Sequence, residues 1–259
     1  MLKNDIGTVI IMTVVATTVM MSAPKAQSAM FKDVEVGITA TTDFYNKYVW
    51  RGFLLDDDAV VEPSVTISAA GFEGGFWGNW DVEDDDDLKS NEVDGWIGYA
   101  FDLGFLDESL KILGFKFGHT WYDFQDGDTG LAQGAHSREF YVGATVDTFL
   151  SPYITWYHDY EAESSGGGNG DFLAVGIGHS FTLNEEHGVS LDVGYEFGYN
   201  SEAYIEDKGG YNLLTAGLAV PLTDNLTITP KMGYSMPYGD VADANNDEFY
   251  VGVSTELAI

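Results

Sequence analysis

Two sets of side chains in this 259-residue chain are spaced for chemistry. The first is Asp126-Gly127-Asp128-Thr129-Gly130, with carboxylates at alternate positions and glycines that permit a sharp bend. Oxygen ligands in that order suit a hard cation, Ca²⁺ or Mg²⁺, held by Asp126 and Asp128. The segment lacks the third carboxylate and the distal glutamate of an EF-hand loop, so the match is partial. Glu83 to Asp87 carries more charge without ordered spacing. A solvated charge run is the commoner origin of both segments. The expectation is therefore loose screening by Ca²⁺ or Mg²⁺, bridging to lipopolysaccharide phosphates, with no resident cofactor.

The second set is a series of charged residues that recur on the polar side of alternating apolar ladders. They are Asp43, Arg51, Glu62, Asp81, Asp94, Asp102, Asp147, Asp192, Glu196, Lys231 and Glu256. Acidic members dominate, and rings of Asp and Glu favour cations over anions in a pore. Catalytic constellations are sparse by comparison. The five histidines are His119, His136, His158, His179 and His187, and no H-E-x-x-H, G-x-S-x-G or P-loop pattern accompanies them. His179 and Ser180 are adjacent, which in a strand places them on opposite faces. His158 with Ser180 on a neighbouring strand is the one nucleophile–base pair left, and the chain is read as a non-enzyme.

The elements that must position these charges are strands. Val189, Leu191, Val193, Tyr195, Phe197 and Tyr199 alternate with Ser190, Asp192, Gly194, Glu196 and Gly198. The same period of two runs through 93–103 and through the last strand, where Phe249, Val251, Val253, Leu257 and Ile259 form the apolar side. Twelve such runs are predicted: 35–52, 60–70, 73–82, 91–103, 109–122, 138–147, 151–160, 171–182, 188–199, 210–221, 225–235 and 247–258. Each is about 10 residues, the length a tilted strand needs to cross a bilayer.

The connections sort into two classes. Long, acidic or Gly-rich ones (54–59, 83–90, 125–137, 161–170, 200–209 and 236–246) alternate with tight ones such as Gly71-Phe72 and Leu222-Thr223-Asp224-Asn225. A meander with both termini in the periplasm produces that alternation. The polar faces are rich in glycine, which suits a crowded lumen better than the exposed face of a soluble sandwich. Aromatic residues make up 14% of the chain. The pairs Trp77 and Trp80, Trp121 and Tyr122, Trp156 and Tyr157, and Tyr195 and Tyr199 lie near strand ends, as a girdle at headgroup level would.

Composition narrows the partners. Against 42 Asp and Glu there are 11 Lys and Arg, a formal net charge of −31. Nucleic acid requires clustered basic residues, and here they are scattered. With no cysteine, the chain has no disulfide, no thiolate metal site and no lipid-modified cysteine. Residues 1–29 read as a secretory leader: Lys3, a nearly uncharged stretch from Ile6 to Met21, then a small-residue exit before cleavage after Ser28 or Ala29. An N-terminal membrane anchor is the other reading of this segment. Residues 30–259 form the barrel domain.

The N-terminal third carries a resemblance. Thr41-Thr42-Asp43-Phe44 leads to Tyr48-Val49-Trp50-Arg51-Gly52, and Phe76-Trp77-Gly78-Asn79-Trp80 and Glu92-Val93-Asp94 follow. These segments resemble the TorF-type porin family, over residues 38–103 in motif and over most of the mature chain in layout. The resemblance implies an outer-membrane barrel of the porin class. Here Asn46-Lys47 is inserted between the Asp-Phe-Tyr and Val-Trp-Arg elements, the loops are far more acidic, and the chain ends on Ile259 and not on an aromatic. The MltA-interacting and OmpV-like barrels are a second family of similar size.

The sequence thus predicts an all-β protein: a single transmembrane antiparallel barrel of about twelve strands in a Gram-negative-type outer membrane. The first expected function is passive diffusion of small, cation-leaning solutes, with Asp43, Asp94, Asp102, Asp192 and Glu196 setting the field and Arg51 as internal counter-charge. The alternative is a non-conducting structural or surface-binding barrel acting through its acidic loops. A secreted acidic sandwich is a third reading. Expected partners are outer-membrane lipid and lipopolysaccharide, and small solutes or cations.

Overall fold

The computed structural model of the protein describes residues 34–82, 89–124, 136–161, 169–203 and 208–259. The leader expected over 1–29, the Asp126 and Asp128 segment and the acidic run over 83–87 lie outside the described residues. In chain order the strands are β1 (Val36–Tyr45), β2 (Tyr48–Trp50), β3 (Phe53–Asp56), β4 (Val60–Ala69), β5 (Phe72–Asp81), β6 (Lys89–Asp102) and β7 (Leu113–Phe124). There follow β8 (His136–Val146), β9 (Tyr153–Asp159), β10 (Asp171–Asn184), β11 (Val189–Ser201), β12 (Lys208–Pro221), β13 (Leu226–Gly239), a short helix α1 (Asp240–Ala244) and β14 (Glu248–Ala258).

From β4 to β14 each strand pairs antiparallel with its chain neighbour, and β1 closes the ring against both β4 and β14. The closing seam runs from Thr39 opposite Ala258 to Tyr45 opposite Gly252. Closure leaves the twelve-stranded wall without an unpaired edge, the condition for a sheet to sit in hydrocarbon. The tight connections lie at one end. At Ala70-Gly71 both backbone φ angles are positive (50° and 85°), the requirement of a two-residue type I′ hairpin. The connection 103–112 is longer and holds two 3₁₀ turns capped by Asp102 and Asp107. Hydrogen bonds from Ser109 hold the exposed Asp107 carboxyl below its ordinary range.

Large apolar side chains cover the outside of the wall. Ile38, Val65, Phe76, Ile97, Phe117, Val142, Ile177, Leu214, Met232 and Val251 are all exposed, Phe76 by 70%. A continuous apolar belt on every side of a closed barrel is untenable in water and is the surface a bilayer requires. The protein is therefore an outer-membrane-type barrel, as the alternation predicts.

The aromatic girdle expectation needs correction. Trp121 and Trp156 face outward, whereas Tyr122 and Tyr157 are buried inside the lumen. Adjacent residues on a strand point to opposite faces, so each pair divides between membrane and interior. Trp77 also turns inward and packs on Tyr48.

Inside, tyrosine rings lie against glycines of neighbouring strands. A Cβ added at Gly198 would collide with the Tyr211 ring, and one at Gly233 with the Tyr250 ring. Gly233→Val is accordingly expected to destabilise the barrel by about 1–3 kcal/mol through overpacking, read as a lower urea midpoint in vesicles. An unchanged midpoint would mean that the Tyr250 ring moves aside freely.

One element departs from the predicted layout. The strand expected over 35–52 ends at Tyr45, and the chain leaves the wall. There Asn46 exchanges two hydrogen bonds with the backbone of Val251, one through its side chain (3.1 and 2.7 Å). Strands β2 and β3 then form a separate two-stranded hairpin within the barrel. Its tip is Arg51-Gly52, with φ of 47° and 88°, between paired Trp50 and Phe53. An X-Gly dipeptide between two apolar triplets, Tyr48-Val49-Trp50 and Phe53-Leu54-Leu55, is the sequence signal of such a turn.

Candidate functional site in the barrel lumen

The hairpin divides the lumen into two halves. Toward the long loops, Tyr48, Val49, Trp50 and Arg51 are buried against Tyr45, Val60, Tyr122, Tyr157, Phe172 and Tyr211 of the wall. Toward the tight turns the interior is polar, with half-buried Asp43, Glu73, Lys116, Asp192 and Glu256 and the buried Lys231.

Arg51 is the centre of the packed half. Its guanidinium forms a two-pronged pair with Glu139 of β8, Nη1 to Oε1 at 2.8 Å and Nη2 to Oε2 at 3.2 Å. It also sits over the rings of Phe172, Tyr157 and Trp50 at 4.3, 4.4 and 4.7 Å. Planar delocalised charge suits both contacts, which a lysine ammonium could not reproduce. Burial works against the Arg51 charge, but the Glu139 carboxylate overrides it and holds the guanidinium pKa above its ordinary value. Glu139 accepts a further bond from the Tyr122 hydroxyl at 2.7 Å.

The rest of the hairpin is tied by side chains. The Tyr48 hydroxyl donates to Glu92 (2.9 Å), Asn91 donates to Asp56 (3.0 Å), and the Leu54 amide donates to the Asn245 side chain (3.1 Å). Lys47, at its entry, bridges Asp57 and Glu248, both at 2.9 Å. Those bonds hold the Lys47 ammonium pKa above its ordinary value. Burial raises the Asp56 carboxyl in turn.

The predicted site residues fall in three places. Asp43 faces the lumen and accepts bonds from Lys231 Nζ (2.7 Å) and Ser254. Glu196 accepts bonds from the Tyr153 and Tyr211 hydroxyls. Asp192 is half-buried lower on the same strand, near Ser190. Asp94 is almost wholly buried, and no hydrogen bond of ordinary geometry reaches either of its oxygens. Arg51 lies in the lumen, but on the hairpin and not on the wall. Asp102 is outside the lumen: it is exposed at the turn end and caps the first 3₁₀ turn through the Gly104 amide (2.7 Å). Asp147, also expected inside, is exposed at the same rim. Both sit where strands give way to turns, so alternation no longer dictates their direction.

Several lumen residues escaped the sequence reading. Glu92 shares its face with Asp94, and Glu139 lies between outward Arg138 and Phe140, so the period of two marks both. Lys116 on β7 lies opposite Lys231 across the ring, six strands away in either direction. His158 and Ser180 are not brought together: His158 contacts Asp171 at the loop end of β10, and Ser180 lies toward the other end. Among the described residues, no group of three or more His, Asp or Glu is placed to hold a metal.

No protein-family profile matches this chain, and no curated protein matches it. Solved structures do share its architecture. The NanC porin superposes with a TM-score of 0.51 at 12% identity, over 85% of this chain and 98% of that one. An outer-membrane channel from Pseudomonas putida F1 gives 0.48 at 9% identity, over 91% and 99%. OmpF from Salmonella typhi gives 0.39 at 8%, over 87% and 97%. At such identity the likeness to the NanC porin is one of fold: this chain is a closed antiparallel barrel of the kind found in outer-membrane porins.

Proposed function

We propose that the barrel is a narrow outer-membrane channel for small solutes, leaning toward cations. The observation that carries this reading is the charge of the lumen. Among the described residues, carboxylates line both halves, and the cations that face them are Arg51, Lys116 and Lys231, with Lys47 at the hairpin entry. A low-dielectric wall focuses that negative field along the axis, which attracts cations and repels anions. The resemblance of residues 38–103 to TorF-type porins supports the same class. On this reading solutes cross passively and the chain is not an enzyme. Exposed Trp121 and Trp156 would meet lipid and lipopolysaccharide headgroups.

Neutralising Asp94 and Asp192 together is expected to lower cation preference. The measurement is the reversal potential of the double mutant Asp94→Asn, Asp192→Asn in a planar bilayer under a salt gradient. Unchanged selectivity would remove both residues from the conducting path.

A second reading has a specific observation behind it. The hairpin fills the loop-side half of the lumen, its residues Tyr48 to Arg51 at most 7% exposed, as in a closed barrel that acts through its acidic loops. Deleting residues 83–90 would then abolish function and leave conductance untouched.

A further inference from the structure

Two features of the hairpin are at odds with a permanent core. The first is its attachment. Strands β2 and β3 hydrogen-bond as ladders only to each other, while every wall strand is paired on both sides without them. The hairpin can therefore leave the lumen without opening the barrel. Tyr45 and Val60, the wall residues that flank it, are directly paired, so the ring is complete at its root.

The second is what it covers. Much of the wall it meets is aromatic, Tyr122, Tyr157, Phe172 and Tyr211 among it, but the covered surface also holds carboxyl groups. Here it buries Glu92, Asp94 and Glu139, and the cation it brings to them is Arg51. Glu92 and Asp94 are buried side by side, with the Asp123 backbone the further group beside Asp94 and, among the described residues, no cation on either of them. Carboxylates sealed in this way are better hydrated than buried, so the closed arrangement is held against their pull toward water. Arg51 is the counterweight, since it satisfies Glu139 and stacks on three rings at once.

We infer that the β2–β3 hairpin is a displaceable gate, latched by the Arg51–Glu139 pair, and that its exit converts the sealed half of the lumen into a water-filled, acid-lined conduit. The inference rests on the channel reading above. It reconciles a closed resting state with a wall built for cations. Opening gives up one stacked ion pair, a few side-chain bonds and the packing of Tyr48, Val49 and Trp50, in exchange for hydration of the covered carboxyl groups, with no change in the barrel ladder.

The chain's lack of cysteine makes the test direct. A Cβ at Gly52 would lie 3.0 Å from Cβ of Tyr211 and 3.3 Å from Cγ1 of Val241, whose helix α1 packs on β12 and β13. The pair Gly52→Cys with Val241→Cys should therefore tether the tip, with Gly52→Cys alone as control for the strained φ. In single-channel recordings, oxidation of the double mutant is expected to cut open probability at least tenfold, with recovery on adding reductant. Glu139→Gln should raise it at least tenfold over wild type. A third protein replaces Tyr48–Asp56 by a short Gly-Ser bridge and should conduct steadily. If that protein conducts while the tethered and Glu139→Gln proteins match wild type, the hairpin is a fixed constriction and the gate is overturned. If it folds and is silent, the channel reading itself fails.

Discussion

In an Arg51→Ala barrel, a cysteine placed at Val49 is expected to react with maleimide as much as 10²–10³ times faster than the same cysteine beside Arg51. Val49 is nearly inaccessible in the seated hairpin, so labelling reports departure of the hairpin from the lumen. Removing one member of a buried ion pair costs roughly 3–5 kcal/mol, because the partner is left charged and unpaired. Each 1.4 kcal/mol is tenfold in an equilibrium, which gives the upper range quoted. Three cation–ring contacts disappear with the same substitution. Arg51→Lys should recover only part of the effect, since an ammonium neither forks onto Glu139 nor stacks as a plane. Equal labelling rates in all three proteins would show that Arg51 does not hold the hairpin.

The second large effect lies on the opposite face of the wall. Ile177→Arg is expected to destabilise the folded barrel by about 2–4 kcal/mol, the range for a cationic side chain at the bilayer midplane of such a protein. Ile177 lies near the middle of β10 and faces outward. Its side chain is 39% exposed, so in a water-soluble sandwich the same change would cost next to nothing. The check is the urea midpoint of refolded protein in vesicles, with the heat-shifted gel band as a measure of folding. An unmoved midpoint would exclude lipid contact at this position.

Most of the wall was legible from alternation alone. Phe197 and Glu196, or Phe249 and Tyr250, point to opposite faces because a strand has a period of two, and burial on one face makes register unambiguous. The phase of long and short connections added direction. Two kinds of residue escaped. Asp102 and Asp147 lie beyond the point where the ladder governs orientation, and each turns to the rim. Tyr48 to Trp50 continue the apolar character of β1, so the predicted strand runs on to residue 52. The strand in fact ends at Tyr45, where Asn46 bonds the Val251 backbone, and the positive φ at Arg51 and Gly52 then turns the hairpin, a signal that a run of aromatic and β-branched residues masks.

The site was legible in part. Asp43, Asp94, Asp192 and Glu196 lie in the lumen by period, and Arg51 does so by a different route, carried in on a hairpin. Its pairing with Glu139 joins residues 88 positions apart on separate sheets, and no local pattern encodes that contact. The acidic loop segment with Asp126 and Asp128 remains an expectation of the sequence.

Cation passage through this barrel is read most directly from the reversal potential of the refolded protein in a planar bilayer with unequal KCl on the two sides, recorded for wild type and for the hairpin-replaced protein. Discrete steps are expected in both, brief in the first and sustained in the second, with a potential of the sign set by K⁺ permeation. A folded, hairpin-free barrel that is silent, or one whose potential follows Cl⁻, would contradict cation passage.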